Sequence, residues 1–396
     1  MRILFLSRWY PYPSDNGAKI RVFNLLKHLA AQHTVDLLSF APGAVSEEQT
    51  EALQKFCRCV QAFTYQPFQP TRVKAMMGFF SSRPRSVIDT FQPEFQALVQ
   101  QWAKENRYDC VIASQIDMIP YAMNVPDVSL VFEEIELTTI HEQFIKERNP
   151  LRKARHALTW WKLQNYVRES LPHFAGYSAA SPGELQRVRT IVPEYTGQGA
   201  LIPNGVDVVA HRQNFGPVQP DTLVYAGAMT YQANFDAVAY FLAEIWPLIR
   251  AERPQATFYV TGKLEGVPVE QLPPREGVVL TGYLDDVRPR VAQSWLSVIP
   301  LRLGGGTRLK ILESLALGTP VVTTSKGMEG LDFKAERDLL VAETPKQFAA
   351  AVLQLLRDPN LRTALSQRGQ LSVNQYDWPK IGAELCEFVD RVAAAA

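Results

Sequence analysis

The chain is poor in cysteine and histidine and carries almost no excess charge. Its four cysteines, Cys57, Cys59, Cys110 and Cys386, match no zinc or redox spacing. Reduced thiols in a cytoplasmic protein are the simplest reading. No cluster of metal-ligating residues is visible. Lys and Arg number 41 against 40 Asp and Glu, so no global field points to nucleic acid. The apolar run after Arg2 is only Ile3–Leu6, and no stretch approaches the ~20 residues that span a bilayer. No signal peptide precedes it. Membrane contact, if made, is therefore peripheral, on the inner face of the plasma membrane. There is no internal repeat or low-complexity segment. The first loop, WYPYPSDNG, contains no G-x-G-x-x-G, which weakens a nicotinamide or flavin reading. What remains is a chain of 396 residues, long enough for about two or three domains with their own cores.

The most informative stretch is WLSVIPLRLGGGTRLKILESLALGTPVVTT, from Trp295 to Thr324. It reads as buried strand, glycine turn, helix and second buried strand. Thr307 is the expected N-cap; Leu309, Leu312, Leu315 and Ala316 recur at helical spacing; Gly318 and Pro320 end the pattern. Gly304, Gly305 and Gly306 leave backbone N–H groups uncovered at the positive end of the helix dipole. Arg308 and Lys310, placed in the first turn, oppose that dipole unless an anion such as a diphosphate sits against it. Glu313 then falls ~9 Å along the helix from Thr307, a distance that suits a ribose diol. The plainer alternative is an ordinary βαβ crossover with both cations in solvent and Glu313 paired with Lys310.

In order along the second half stand YAGAMTYQANFDAVAYFLAEIWPLI, RPQATFYVTGK, VVLTGYLDDVRP, the glycine-turn block, GMEGL and LLVAETPKQFAAAVLQLL. From Leu223 to Asp377 this series resembles the donor domain of bacterial family 4, or group 1, retaining glycosyltransferases. The first half resembles them only weakly. The resemblance implies an α/β protein of the GT-B type, with two Rossmann-like domains facing across a cleft and a C-terminal helix crossing back to the N-terminal domain. The expected boundaries are 1–195 for the acceptor domain, 196–221 for a proline- and glycine-rich hinge containing the family-like PNGVD, 222–375 for the donor domain and 376–396 for the returning helix. It also implies front-face transfer from a UDP- or GDP-linked sugar to a hydroxyl acceptor, a growing glycan or lipid-linked oligosaccharide, with no cofactor and no metal. Glu313 takes the position that binds the ribose; Arg308 and Lys310, with the 304–307 amides, face the diphosphate, and Leu309 falls within the same donor-binding set. Gly227, Gly262 with Lys263, and Gly282 with Tyr283 follow successive strands beside the base, although a solvated lysine is the safer reading of Lys263.

The N-terminal half supplies the acceptor side. Ile3–Ser7, a helix over 18–32 and Val35–Phe40 form a βαβ opening. Asp15, Asn16 and Gly17 begin its helix, with Gly17 at the family's acceptor-facing glycine or simply permitting the turn. The strand Val128–Phe132 delivers Glu133, Glu134 and Glu136 to the sheet's carboxyl edge. Glu136 keeps the last position of a His-Asn-x-Glu type sequence and is taken as the cleft carboxylate; His141 is a substitute for the missing histidine or a structural residue. Ser181 with Glu184 has capping-box spacing. Two stretches are basic: 71–88 has no acid, and 145–168 has only Glu147 and interleaves Trp160 with Trp161. They read either as surfaces for anionic lipid or as solvated helix faces over core tryptophans.

Two departures from the resembled family matter. The loop after Tyr225 lacks its arginine and lysine, so Arg308 and Lys310 must supply the positive charge. The earlier of two glutamates usually separated by seven residues is Gly305 here. Two rival readings therefore stay open, a GT-B epimerase using the three clustered glutamates and a non-catalytic nucleotide-sugar binder.

Overall fold

The structure, a computed structural model, describes residues 1–274, 276–304 and 308–395. The chain divides into two compact units, Met1–Asn204 together with the chain from Pro379, and Gly205–Trp378. Each is built on a parallel sheet, as the short apolar runs require: strands buried on both faces have no polar face to alternate with.

In the first unit the strands are β1 (Arg2–Ser7), β2 (Thr34–Ala41), β3 (Cys59–Thr64), β4 (Cys110–Ser114), β5 (Ser129–Glu133), β6 (Gly176–Ala179) and β7 (Gln198–Leu201). Their order is β3-β2-β1-β4-β5-β6-β7, so the winding reverses between β1 and β4. Ser7, Ser114 and Glu133 stand in register at the carboxyl edge. Leu4, Leu6, Phe40, Phe95, Tyr121 and Phe132 belong to one apolar cluster. The helix Trp378–Ala394 packs on this unit. Gly176 makes that close packing feasible, since a Cβ there would meet Val392 Cγ2 at 2.6 Å and Phe388 Cζ at 2.8 Å.

In the second unit β8 (Gln219–Ala226), β9 (Thr257–Thr261), β10 (Val278–Gly282), β11 (Ser294–Ile299), β12 (Val321–Thr323) and β13 (Leu340–Val341) run in the order β10-β9-β8-β11-β12-β13. Here the winding reverses between β8 and β11. Open sheets of this kind bind ligands outside the carboxyl ends at such a switch point. Among the described residues, no helix is long and apolar enough to cross a membrane.

Three sequence expectations need correction. The stretch 196–221 is not all connector: Gln198–Leu201 forms the edge strand β7, and Gln219 already begins β8. The helix after β8 is not continuous to Ile249. It runs Gln232–Tyr240, widens into a π-turn over Phe241–Ile245 and resumes at Trp246–Glu252, because Pro247 cannot donate to the helical ladder. Ser181 caps its helix by accepting from the Glu184 amide, but the Glu184 carboxylate does not complete a box. It instead accepts from the amides of Leu137 at 3.0 Å and Thr138 at 2.8 Å, capping the helix Thr138–Lys146.

Candidate functional site

The second unit gathers the donor-side residues at the β8–β11 switch point. The helix begins at Leu309 and ends at Ala316, with Arg308 at the N-cap position rather than inside the first turn. Gly305, Gly306 and Thr307, including the expected N-cap, lie outside the described residues. Leu309 packs against the apolar core, and Ser314 Oγ donates to Ser297 Oγ on β11 at 2.9 Å, fixing the helix to the sheet.

Both cations are engaged by the protein. The buried Arg308 guanidinium donates to the carbonyls of Gly304 at 2.6 Å and Lys326 at 3.3 Å, and lies 3.7 Å from the Glu329 carboxylate. It thus ties the loop after β11 to the one after β12. Lys310 Nζ donates to Tyr225 Oη at 2.8 Å and Asn234 Oδ1 at 2.7 Å, and Tyr225 Oη donates to the same Asn234 oxygen at 2.7 Å. Gly227, directly after β8, leaves the space: a Cβ there would lie 2.7 Å from Lys310 Nζ. Burial, with Arg308 adding repulsion, pushes the Lys310 ammonium down to about 7. Burial also holds the Glu313 carboxyl above its ordinary range, with His211 and Lys310 pulling it back. A lysine so placed is a charge that costs the unliganded protein and that an arriving anion would stabilise.

The glycine rim is more closed than its sequence implies. The Gly227 amide donates to Thr261 O at 3.3 Å and the Gly262 amide to Gly282 O at 2.9 Å, so neither N–H is left for a base edge. At the outer rim Lys263 Nζ lies 5.3 Å from the ring of Tyr283, which is more than half exposed.

In the first unit the three glutamates part company. Glu133 is buried: its Oε1 accepts from Arg21 Nε at 2.7 Å and its Oε2 from Ser114 Oγ at 2.6 Å. Arg21, equally buried, also donates to Asn204 Oδ1 at 3.0 Å. Glu134 follows in a left-handed conformation, φ 62°, opposite Gln115 at φ 74°, whose Nε2 donates to Glu134 Oε2 at 3.2 Å. Two non-glycine residues held there are strain of the kind that collects at functional sites. Burial pushes the Glu134 carboxyl up to about 7, with Glu133 adding and Arg21 and Gln115 opposing. The turn at Glu134 reverses the strand's alternation, so Ile135 and Leu137 are buried and Glu136 is exposed. Glu136 accepts from Thr139 Oγ1 at 2.8 Å, and the carboxylate in the sensitive position is Glu134 instead. His141 packs on Trp160 and sits 2.8 Å from Arg187 Nη1; burial and that arginine hold it below its ordinary range. Asn16 Oδ1 caps the first helix at the Lys19 amide, 3.1 Å, Asp15 pairs with Lys19 at 3.0 Å, and Gly17 opens the helix one turn before Arg21. Arg21, Ser114 and Gln115 were not among the residues singled out from sequence, and Asn204 was read only as part of the PNGVD motif.

With this geometry in view, residues 220–358 match the family described as Glycosyl transferases group 1. The second unit carries a group 1 glycosyltransferase domain. The whole chain resembles sucrose-phosphate synthase of Thermosynechococcus elongatus at 16% identity, covering 100% of both chains, with a TM-score of 0.71. It resembles HepE of Anabaena, in complex with UDP and glucose, at 18% identity, covering 99% of this chain and 100% of that one, with a TM-score of 0.66. At such identities these likenesses establish the fold, which is GT-B. A 44.6 kDa protein from the cps region of Klebsiella pneumoniae is 18% identical over 364 residues, 89% of this chain and 90% of the relative.

Proposed function

We propose that this glycosyltransferase moves a sugar from a UDP-sugar to a hydroxyl acceptor with retention of configuration, in the assembly of a cell-surface glycan. The observation that carries the proposal is the Lys310–Tyr225–Asn234 cluster beneath Gly227, where a cation held near half-protonation waits at the switch point of the sheet. Transfer needs charge stabilised on the departing diphosphate, and a lysine that gains its proton on contact with phosphate provides it where charge develops. Arg308 holds the loops in place and adds charge. Glu313 takes the ribose hydroxyls, and the exposed ring of Tyr283 with Lys263 offers a stacking face for the base. In the first unit Glu134, whose carboxyl exchanges its proton near neutrality, is assigned to the acceptor side. UDP is favoured over GDP because HepE was seen with UDP, and a glycan product because a relative lies in a cps region. The departing phosphate takes the acceptor proton, so the protein's part is positioning and charge.

Incubation with UDP-sugars and a lipid-linked oligosaccharide extract, followed by nuclear magnetic resonance of the products, tests this. Free UDP should appear only with acceptor, and the new linkage should keep the donor's anomeric configuration. An altered sugar still attached to UDP would mean an epimerase using Glu134 as acid and base, and binding without any product would mean a non-catalytic protein.

A further inference from the structure

In the first unit, an apolar tip projects from one of the two basic stretches. Over the short helix Val73–Met77 and the turn Gly78–Phe80, the side chains of Val73, Met76, Met77, Phe79 and Phe80 are all exposed, Phe80 at 97%. So many large apolar groups on so few residues exceed the scattered exposure that any surface shows. The tip is also firmly built. Arg85 donates to the carbonyls of Ala75 and Pro70, both at 2.7 Å, and lies 3.7 Å over the Phe79 ring. Arg72 pairs with the buried Asp89 at 3.1 Å. Lys162, itself buried, donates to Gly78 O at 2.7 Å and Phe79 O at 3.0 Å. A fold that spends a buried lysine on holding a loop's carbonyls has not left that loop exposed by neglect.

Lys162 also shows what lies beside the tip. It belongs to the helix Pro150–Ser170, and at ~100° per residue Leu151, Leu158 and Arg155 share its face within about 40°. Leu151 and Leu158 are exposed, as is the neighbouring Trp161. The apolar surface therefore continues from the tip along this helix. Around it Lys74, Arg83, Arg152 and Arg155 are exposed. The only acid in 145–168 is Glu147, and 71–88 has none. Just past the tip in sequence, Arg83, Val87, Ile88, Phe91 and Met123 line a cavity of about 520 Å³ that Glu169 and His173 also border.

We infer that this face docks on a bilayer leaflet rich in anionic lipid, the tip inserting among the acyl chains while the surrounding arginines and lysines meet the phosphates. Apolar insertion ringed by basic residues is the arrangement that binds such interfaces. Charge argues against a second copy as the occupant, because two such faces would repel. The inference does not depend on which reaction the donor site performs.

The full chain should be tested by co-sedimentation with phosphatidylcholine vesicles with and without phosphatidylglycerol. The native protein should partition at least about tenfold more strongly onto the anionic vesicles, less so at high salt. Met77→Ser with Phe80→Ser should weaken that binding by roughly tenfold or more, with an unchanged thermal midpoint. Arg83→Glu with Arg155→Glu should remove the preference for anionic lipid. Equal partitioning on both vesicles, or undiminished binding by the Met77, Phe80 variant, would overturn the inference. So would a concentration-dependent dimer that this variant dissolves.

Discussion

Lys310→Met is expected to weaken UDP binding strongly and to make what remains insensitive to pH. In the unliganded protein the Lys310 ammonium titrates at about 7 instead of 10.5. A diphosphate beside Nζ favours the charged form and moves that value back up, so binding takes up a proton wherever the pH lies between the two. The sign follows. Below about 7 the lysine is already charged and affinity is flat; above it affinity falls by up to ~tenfold per pH unit until the bound-state value is passed. Calorimetric titration near the middle of that window, in buffers of different ionisation enthalpy, should count about one proton taken up by the native protein and almost none by the variant. The same depressed value makes the charged lysine a burden on the unliganded fold. That burden is fully present below about 7 and is relieved as the pH rises towards 10.5, so the methionine variant should melt higher without ligand at neutral pH. A variant that keeps the native pH profile would remove Lys310 from the anion site.

Arg21→Met should be the most damaging single change in the first unit. It would leave Glu133 with one hydrogen bond, from Ser114, in a site with no water access. Breaking a buried pair from one side costs ~3–5 kcal/mol, whereas replacing both members with apolar groups of similar volume is often near neutral. Denaturant unfolding should therefore show Arg21→Met severely destabilised and Arg21→Met with Glu133→Leu largely recovered. A loss under ~1 kcal/mol in the single variant would mean that the pair is not closed in solution.

The parallel sheets were legible because apolar runs such as ILFL and VIP have nowhere to go but a doubly covered strand. The donor edge was legible for a related reason, since glycines after successive strands mark where backbones come close. The partners were not. Lys310 meets Tyr225 and Asn234, and Arg21 meets Glu133 and Asn204, across separations that local pattern does not reach. Yet three buried charges did leave a trace. Arg21 stands on the buried stripe of its helix with Leu25 and Leu29, Lys162 with Tyr166, and Glu184 with Val188 and Ile191. A charge on an apolar stripe must be paired or must hold backbone groups, and each of these does. The His-Asn-x-Glu likeness pointed to Glu136, and that pattern carries no sign of the left-handed residue at Glu134, after which Ile135 and Leu137 are buried and Glu136 is exposed. The tip around Phe80 was visible as basic charge, but its exposed apolar side chains were not, since sequence does not say which Phe or Met faces solvent.

The central claim is that a nucleoside diphosphate binds at the start of the helix Leu309–Ala316. The most direct measurement is a thermal-shift panel of UDP, GDP and ADP on the native protein and on Arg308→Ala with Lys310→Ala. One nucleotide, expected to be UDP, should stabilise the native protein by ~2.7 kcal/mol at a hundred times its Kd, and the double variant should not respond. Equal stabilisation of both proteins, or no response of the native protein to any nucleotide, would contradict the account.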